Sequence, residues 1–191
     1  MWPWEHAAVG YVLYSALLRS AGREPPSVSG VAAVVLGTQL PDVVDKPLSW
    51  WLGWVSTGSA VAHSVLIALP TCGLLAWVAV RRERGRLGLA FTVGYLSHLV
   101  ADVLTLLRSG RPPSPDRILW PLVETEPYET EYGLSRGFVY LEQFLAGLDG
   151  MEPLVLSTYL LVPVGAVLVW ALDGAPGLEA LLRCCRAVAS P

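Results

Sequence analysis

Charge is scarce in this chain. Only 15% of its 191 residues are Asp, Glu, Lys or Arg, against about 25% in an ordinary soluble domain. With 53% hydrophobic residues and a mean hydropathy of +0.50, that shortage argues against a water-soluble globule and for an integral membrane protein. A basic excess is missing too. The net charge is −3, so nucleic acid is not an expected partner. Cysteine is nearly absent: Cys72 lies in an apolar run, Cys184 and Cys185 are vicinal, and no CxxC pair exists. A disulfide framework and a thiolate zinc site are both excluded as readings. The vicinal pair reads as ordinary tail cysteines, with palmitoylation as the alternative. The opening "MWPWEH" lacks the basic segment and small-residue cleavage site of a signal peptide, so the chain is expected to be held by its own spans.

What the chain does have is long apolar runs. Crossing a bilayer takes about 20 apolar residues, and Ser59–Val80, Leu87–Leu107 and Pro153–Leu172 meet that length. Two shorter segments, His6–Ala21 and Val28–Leu40, precede them, separated by "REPPS". The expected fold is all-α: one membrane-embedded bundle of about five apolar helices over residues 1–191. Residues 108–152 form a turn-rich, acidic stretch in which "SRGFVYLEQFLAGL" has helical spacing and is expected to lie in the interface. "LEALLRCCRAV" reads as another such helix in a short C-terminal tail. Arginine clusters at 19–23, 81–86 and 183–186 fall on one side if the helices simply alternate. The positive-inside rule makes that side cytoplasmic.

Polar residues stand out against this background. His98 and Asp102 lie one turn apart in "GYLSHLVADVLTLL", so both point from one helical face. Counting from the 81–86 turn at ~1.5 Å per residue puts His63, in the preceding run, near the depth of Asp102. His6 starts the first helix, and Asp42 and Asp45 sit in "GTQLPDVVDKP", which reads as a loop after the second. All three histidines and three aspartates therefore converge on the end facing away from the cytoplasm. Neutral imidazole and carboxylate together suit zinc or a similar divalent metal, and metal binding relieves the desolvation penalty of an intramembrane carboxylate. An open coordination position would lower the pKa of a bound water toward ~7 and so favour hydrolysis. Each residue also has a plainer reading: a His98–Asp102 hydrogen bond, an interfacial His6 beside Trp2 and Trp4, an interhelical contact at His63 and Ser64. A His–Ser–Asp triad finds no GxSxG elbow at Ser64 or Ser97.

The string "LPDVVD", then "AHS", then "HLVADVLT" and "LWPL" resembles the YdjM-like family of membrane-bound metal-dependent hydrolases. The similarity spans most of residues 1–122, and the C-terminal third matches only in being apolar. That family is distantly similar to zinc-dependent phospholipase C and single-strand nucleases, which are all-helical. The resemblance implies Asp42 or Asp45, His63, His98 and Asp102 as the principal metal site, with His6 contributing to a second and Asp102 bridging. Two departures matter. "GSAVAHS" stands where many members carry an HR-x-x-THS-like stretch, and the later His and HxxxE of the soluble enzymes are missing, which leaves fewer metals, or no catalysis, open. Trp120 and Pro121 in "ILWPL" match the family pattern without suggesting chemistry, and read as a membrane-interface anchor, with the seating of a loop over the site as the alternative.

The expected function is hydrolysis of a phosphoester, of a lipid or another membrane-proximal substrate, by a metal-activated water. Asp45 would take the proton, and Arg108 and Arg111 would reach the phosphate. Glu124, Glu126, Glu129 and Glu131 read as a solvated acidic loop, with a missing metal ligand or a general base as the alternative. The alternatives are a non-enzymatic membrane protein whose His/Asp cluster binds a structural metal or only joins helices, and a transporter component.

Overall fold

The computed structural model describes residues 1–180, 182 and 183. Cys184 and Cys185 lie outside the described residues, as does most of the helix expected at 178–188. Among the described residues all regular structure is helical. The helices are α1 (Pro3–Ser20), α2 (Val28–Trp50), α3 (Val65–Arg81), α4 (Gly85–Leu104), α5 (Arg136–Gly147) and α6 (Pro153–Leu172). Among the described residues three segments are long and apolar enough to cross a membrane: Val28–Trp50, Gly85–Arg108 and Pro153–Leu172. The last two match the sequence expectation.

Two boundaries differ from that expectation, and both differences shape the site. The second helix does not stop at Leu40. It runs on to Trp50 through Pro41 and Pro47, so "PDVVD" is helical rather than a loop. Each proline removes one backbone donor and would break an exposed helix, but a packed membrane bundle tolerates the loss. The third helix begins later than expected, at Val65, with the Ser64 hydroxyl accepting from the Leu66 N–H as its N-cap. Residues 59–64 are drawn out of the helix because the Asp45 carboxylate takes the backbone N–H groups of Ala60, Ala62 and His63. α3 is therefore the shorter apolar helix and α2 the long one.

α4 is the centre of the bundle, packed against α1, α2 and α3, while α6 packs on α1. Apolar side chains gain little by leaving lipid for protein, so close backbone packing carries association. The α2–α4 crossing shows it: a Cβ on Gly37 would meet the Phe91 carbonyl, and one on Gly94 would meet the Val34 carbonyl. Around the crossing, Tyr11, Tyr14, Val34 and Ala90 are buried together, and Ala68, Cys72, Tyr95 and Leu99 form a second cluster. At the arginine-rich end, Arg19 pairs with Asp173, which also accepts from Tyr11 and Ser15. Burial would raise the Asp173 carboxyl, but these hydrogen bonds and the guanidinium outweigh it and hold it below 3.8. Tryptophans are exposed at both ends, Trp4, Trp51 and Trp54 at one and Trp77 at the other, as at a membrane interface.

Candidate metal centre

The end opposite the arginines gathers the starts of α1 and α3 and the ends of α2 and α4. His98, on α4, sits where the glycine crossing presses α4 against α2. Its Nδ1 lies 2.6 Å from the Thr38 carbonyl oxygen. A carbonyl only accepts, so Nδ1 carries the proton and the lone pair is on Nε2. His63 is held in the same sense from the other side, its Nδ1 2.8 Å from Asp45 Oδ2. The two Nε2 atoms then face each other at 3.1 Å. With both Nδ1 positions donating, two lone pairs would point at one another in a buried site unless a positive centre lies between them.

Two carboxylates complete the surroundings. Asp42 Oδ1 lies 3.6 Å from His63 Nε2 and 3.9 Å from His98 Nε2, while its Oδ2 is 2.6 Å from Lys46 Nζ. Asp102 Oδ2 lies 3.5 Å from His63 Nε2 and 3.6 Å from His98 Nε2. Its Oδ1 is 3.2 Å from His6 Nε2, and the His6 ring stacks on His98 at 3.8 Å. Donor atoms 2.0–2.1 Å from a tetrahedral zinc are about 3.4 Å apart, close to these separations. Two groups have ligand atoms close enough to share an ion: Asp42, His63 and His98, and His6, His98 and Asp102. The donor set fits a divalent cation. Burial alone would depress the His63 imidazole, but the Asp102 and Asp45 carboxylates outweigh it and raise its pKa to about 9. The pocket thus favours a positive charge at neutral pH, supplied by a proton or a metal.

His6, Asp42, His63, His98 and Asp102 are therefore brought together as the sequence implied. Asp45 is not. Fully buried, it spends Oδ1 on the Ala62 N–H and Oδ2 on Ala60 N–H, His63 N–H and His63 Nδ1. It stands behind His63 as an orienting carboxylate, with no oxygen left for a metal or for a water's proton. Arg108 is also redirected: it lies 2.7 Å from buried Glu5 and over the Tyr159 ring. Arg111 is exposed and lines no part of the site's cavity. The serine triad finds no geometry, since Ser64 donates to the Trp120 carbonyl and Ser97 to that of Gly94.

A polar cavity of about 380 Å³ opens onto Asp42 and Asp102, with Lys46, Arg117, Glu126 and Tyr128 in its walls. Sequence reading passed over Glu5, Lys46 and Arg117. Lys46 at i+4 from Asp42 was the one local signal. Glu124, Glu126, Glu129 and Glu131 are exposed, and Glu126 alone of the four reaches the cavity. The 120–135 segment covers the site through specific ties. Trp120 accepts from Ser64, Thr125 meets Thr57 at 2.8 Å, and the Tyr128 hydroxyl accepts from the Gly58 N–H at 2.9 Å. Buried Arg136 underpins it, stacked 3.6 Å from Tyr128 and donating to the Thr130 carbonyl.

The family model for YdjM inner membrane protein matches residues 1–175. The match extends well past residue 122 and includes α5 and α6. No curated protein and no solved structure matches the chain.

Proposed function

This chain belongs to the YdjM inner membrane protein family, and from that premise we propose that it is a membrane-embedded, metal-dependent hydrolase of phosphoesters. The observation that carries the reading is the pair of imidazoles locked through Nδ1 with Nε2 atoms 3.1 Å apart, flanked by two carboxylates at one end of a polar cavity. Asp42, His63, His98 and Asp102 would hold the principal ion, zinc by donor type. His6 would serve a second. A bound divalent metal supplies Lewis acidity, making water nucleophilic near neutral pH and offsetting charge on the phosphoryl oxygens.

The chain's own groups do the rest. Asp45 and the Thr38 carbonyl fix both imidazole orientations, which keeps the ligand geometry without reorganisation. Lys46 and Arg117 line the cavity as the cations for the phosphoryl group, in place of Arg108 and Arg111. Asp42 faces the cavity with Oδ1 toward the two imidazoles and Oδ2 turned to Lys46, so it anchors Lys46 beside the ion's position. In the balanced reaction, the water oxygen bonds to phosphorus and the ester P–O bond breaks. The leaving oxygen takes up the water's proton, giving an alcohol and a phosphate. Arginines at the opposite end support an orientation with that end cytoplasmic and the site on the far side.

One observation favours a second reading, a structural site: His6, His63 and His98 are each no more than 1% exposed. The test separates the two. Metal content of the purified protein is measured for wild type and His98→Ala, followed by a screen of phosphomonoester and phosphodiester substrates. Stoichiometric metal lost in the variant, with turnover only in wild type, is the expected result. Metal without turnover leaves the structural reading, and a metal-free, well-folded wild type sinks the hydrolase.

A further inference from the structure

We propose that the substrate is an anionic membrane lipid: a phosphoester of net negative headgroup on long acyl chains, with one chain lying along α4 and the phosphate reaching Asp42 and Asp102. This deepens the hydrolase reading and rests on it for the chemistry, though not for the binding.

The inference comes from how the cavities join. The polar cavity shares Lys46, Trp50 and Tyr140 with an apolar groove of about 520 Å³ beneath α5, whose walls include Trp4, Leu134, Phe138, Leu141 and Tyr159. That groove shares Thr105 and Arg108 with a third of about 690 Å³ between α1 and α4, lined by Val9, Leu13, Val93, Leu96, Val100 and Leu104. Polarity runs in one direction along this path. One end carries Lys46 and Arg117, which suit an anionic headgroup, and the far end is almost wholly aliphatic. At the junction Arg108 is paired with Glu5 and the Met1 ammonium with Asp102 at 3.2 Å, which offsets both charges where a chain would pass.

Depth agrees with the chemistry. From Arg108 back to Thr92 the third groove follows α4 for roughly 24 Å at 1.5 Å per residue. One leaflet is about 15 Å, half of a ~30 Å hydrocarbon core, so the groove is long enough for an acyl chain. The mouth lies at the end where Trp4, Trp51 and Trp54 are exposed, the level of lipid headgroups. Across it lies α5, whose Phe138 is 78% exposed and Leu145 56% exposed, as on a helix resting in the interface. A water-soluble phosphoester would use the cavity and leave both grooves idle. A lipid uses all three.

Full-length protein in phosphatidylcholine nanodiscs is irradiated with phosphatidic acid carrying a diazirine midway along one acyl chain, and the cross-links are mapped by mass spectrometry. Labelling of residues 93–104 and 9–13 is expected to exceed that of the lipid-facing α6 at least fivefold. Val100→Trp or Leu104→Trp, each placing an indole in the groove, is expected to return it to the α6 level; two variants guard against one failing to fold. Labelling no higher than on α6, or unchanged in both folded variants, overturns the proposal. So does equal labelling by the matching phosphatidylcholine probe, which marks a seat for any lipid. With metal added, kcat/KM for a dioleoyl phosphoester should exceed that of its dibutyryl analogue at least tenfold, and Val100→Trp should erase that preference. Equal rates for the two chain lengths overturn the lipid inference and leave the hydrolase standing. No turnover of either, with groove labelling intact, overturns the hydrolase and leaves the lipid site.

Discussion

Asp45→Asn distinguishes an orienting carboxylate from a metal ligand. Four donors converge on Asp45: the N–H groups of Ala60, Ala62 and His63, and His63 Nδ1. An asparagine has one acceptor oxygen. Its best placement puts that oxygen at the Oδ2 position, which keeps three of the four partners and turns the amide NH₂ toward the Ala62 N–H. One buried donor is then orphaned, at about 1–3 kcal/mol, and three charge-assisted bonds become neutral ones, each weaker by about 1 kcal/mol. The sum is close to the ~3–5 kcal/mol typical of removing one partner from a buried charged pair. At roughly 2–4 °C per kcal/mol for a chain of this size, Tm should fall by roughly 6–20 °C. Because the imidazole keeps an oxygen behind it, the metal should be weakened rather than abolished, by about 10–100-fold, or ~1.4–2.8 kcal/mol.

The assay is a chelator competition for Zn²⁺ on detergent-purified protein, with thermal unfolding beside it, for wild type, Asp45→Asn, Asp42→Asn and His98→Ala. Asp45→Asn should still reach wild-type stoichiometry at saturating metal, and His98→Ala should not. If Asp45→Asn loses stoichiometric metal as completely as His98→Ala, the carboxylate is a ligand and the geometry argued above is wrong. Wild-type affinity and wild-type Tm in that variant would refute the orienting role as well.

Other consequences follow from single features. Gly94→Ala pushes a methyl at the Val34 carbonyl and should cost about 1–3 kcal/mol as overpacking, while moving Thr38 away from His98; unfolding midpoint and zinc affinity should fall together. Removing bound metal with a chelator should lower Tm by roughly 5–11 °C relative to protein held at 100 times Kd, since that excess is worth about 2.7 kcal/mol. Arg136→Ala empties the tyrosine cage under the 120–135 segment, and limited proteolysis should cut there first, with α1–α4 still intact. At the opposite end Asp173→Asn should cost about 2 kcal/mol near neutral pH through its contacts with Arg19, Tyr11 and Ser15. The Asp173 carboxyl is depressed in the folded state. Its stabilisation is therefore present above the unfolded value and lost as pH falls through the lower folded one. Wild-type and variant Tm curves should converge only below about pH 4.

Much of the site was legible because its residues are costly where they stand. An imidazole or carboxylate in a run as apolar as 94–107 needs a compensating partner, so composition alone marks His98 and Asp102. Helical rise then places His63 at the depth of Asp102, and the two do meet, at 3.5 Å. The positions of α4 and α6 were equally plain, since each is an uninterrupted apolar run. The errors fell where two local rules compete. "GTQLPDVVDKP" reads as a loop, yet α2 continues through its Pro41 and Pro47 inside the bundle. Residues 59–64 read as the start of a span, yet Asp45 wins their N–H groups.

By itself the sequence determined that this is an all-helical membrane chain, which residues are polar enough to need one another, and at which end of the bundle they meet. Those are properties of composition and of fixed rise per residue, and they survive without any knowledge of neighbours. Only the tertiary structure decided which carboxylate faces the cavity and which stands behind His63, because Asp42 and Asp45 differ by three positions on one helix and not in chemistry. It also decided that Lys46 and Arg117, rather than Arg108 and Arg111, line the cavity, since Glu5 claims Arg108 from a helix a hundred residues away. The physical reason is common to both. Side-chain roles are settled by which groups come within about 3 Å, and that follows from how closely α2 and α4 cross at Gly37 and Gly94.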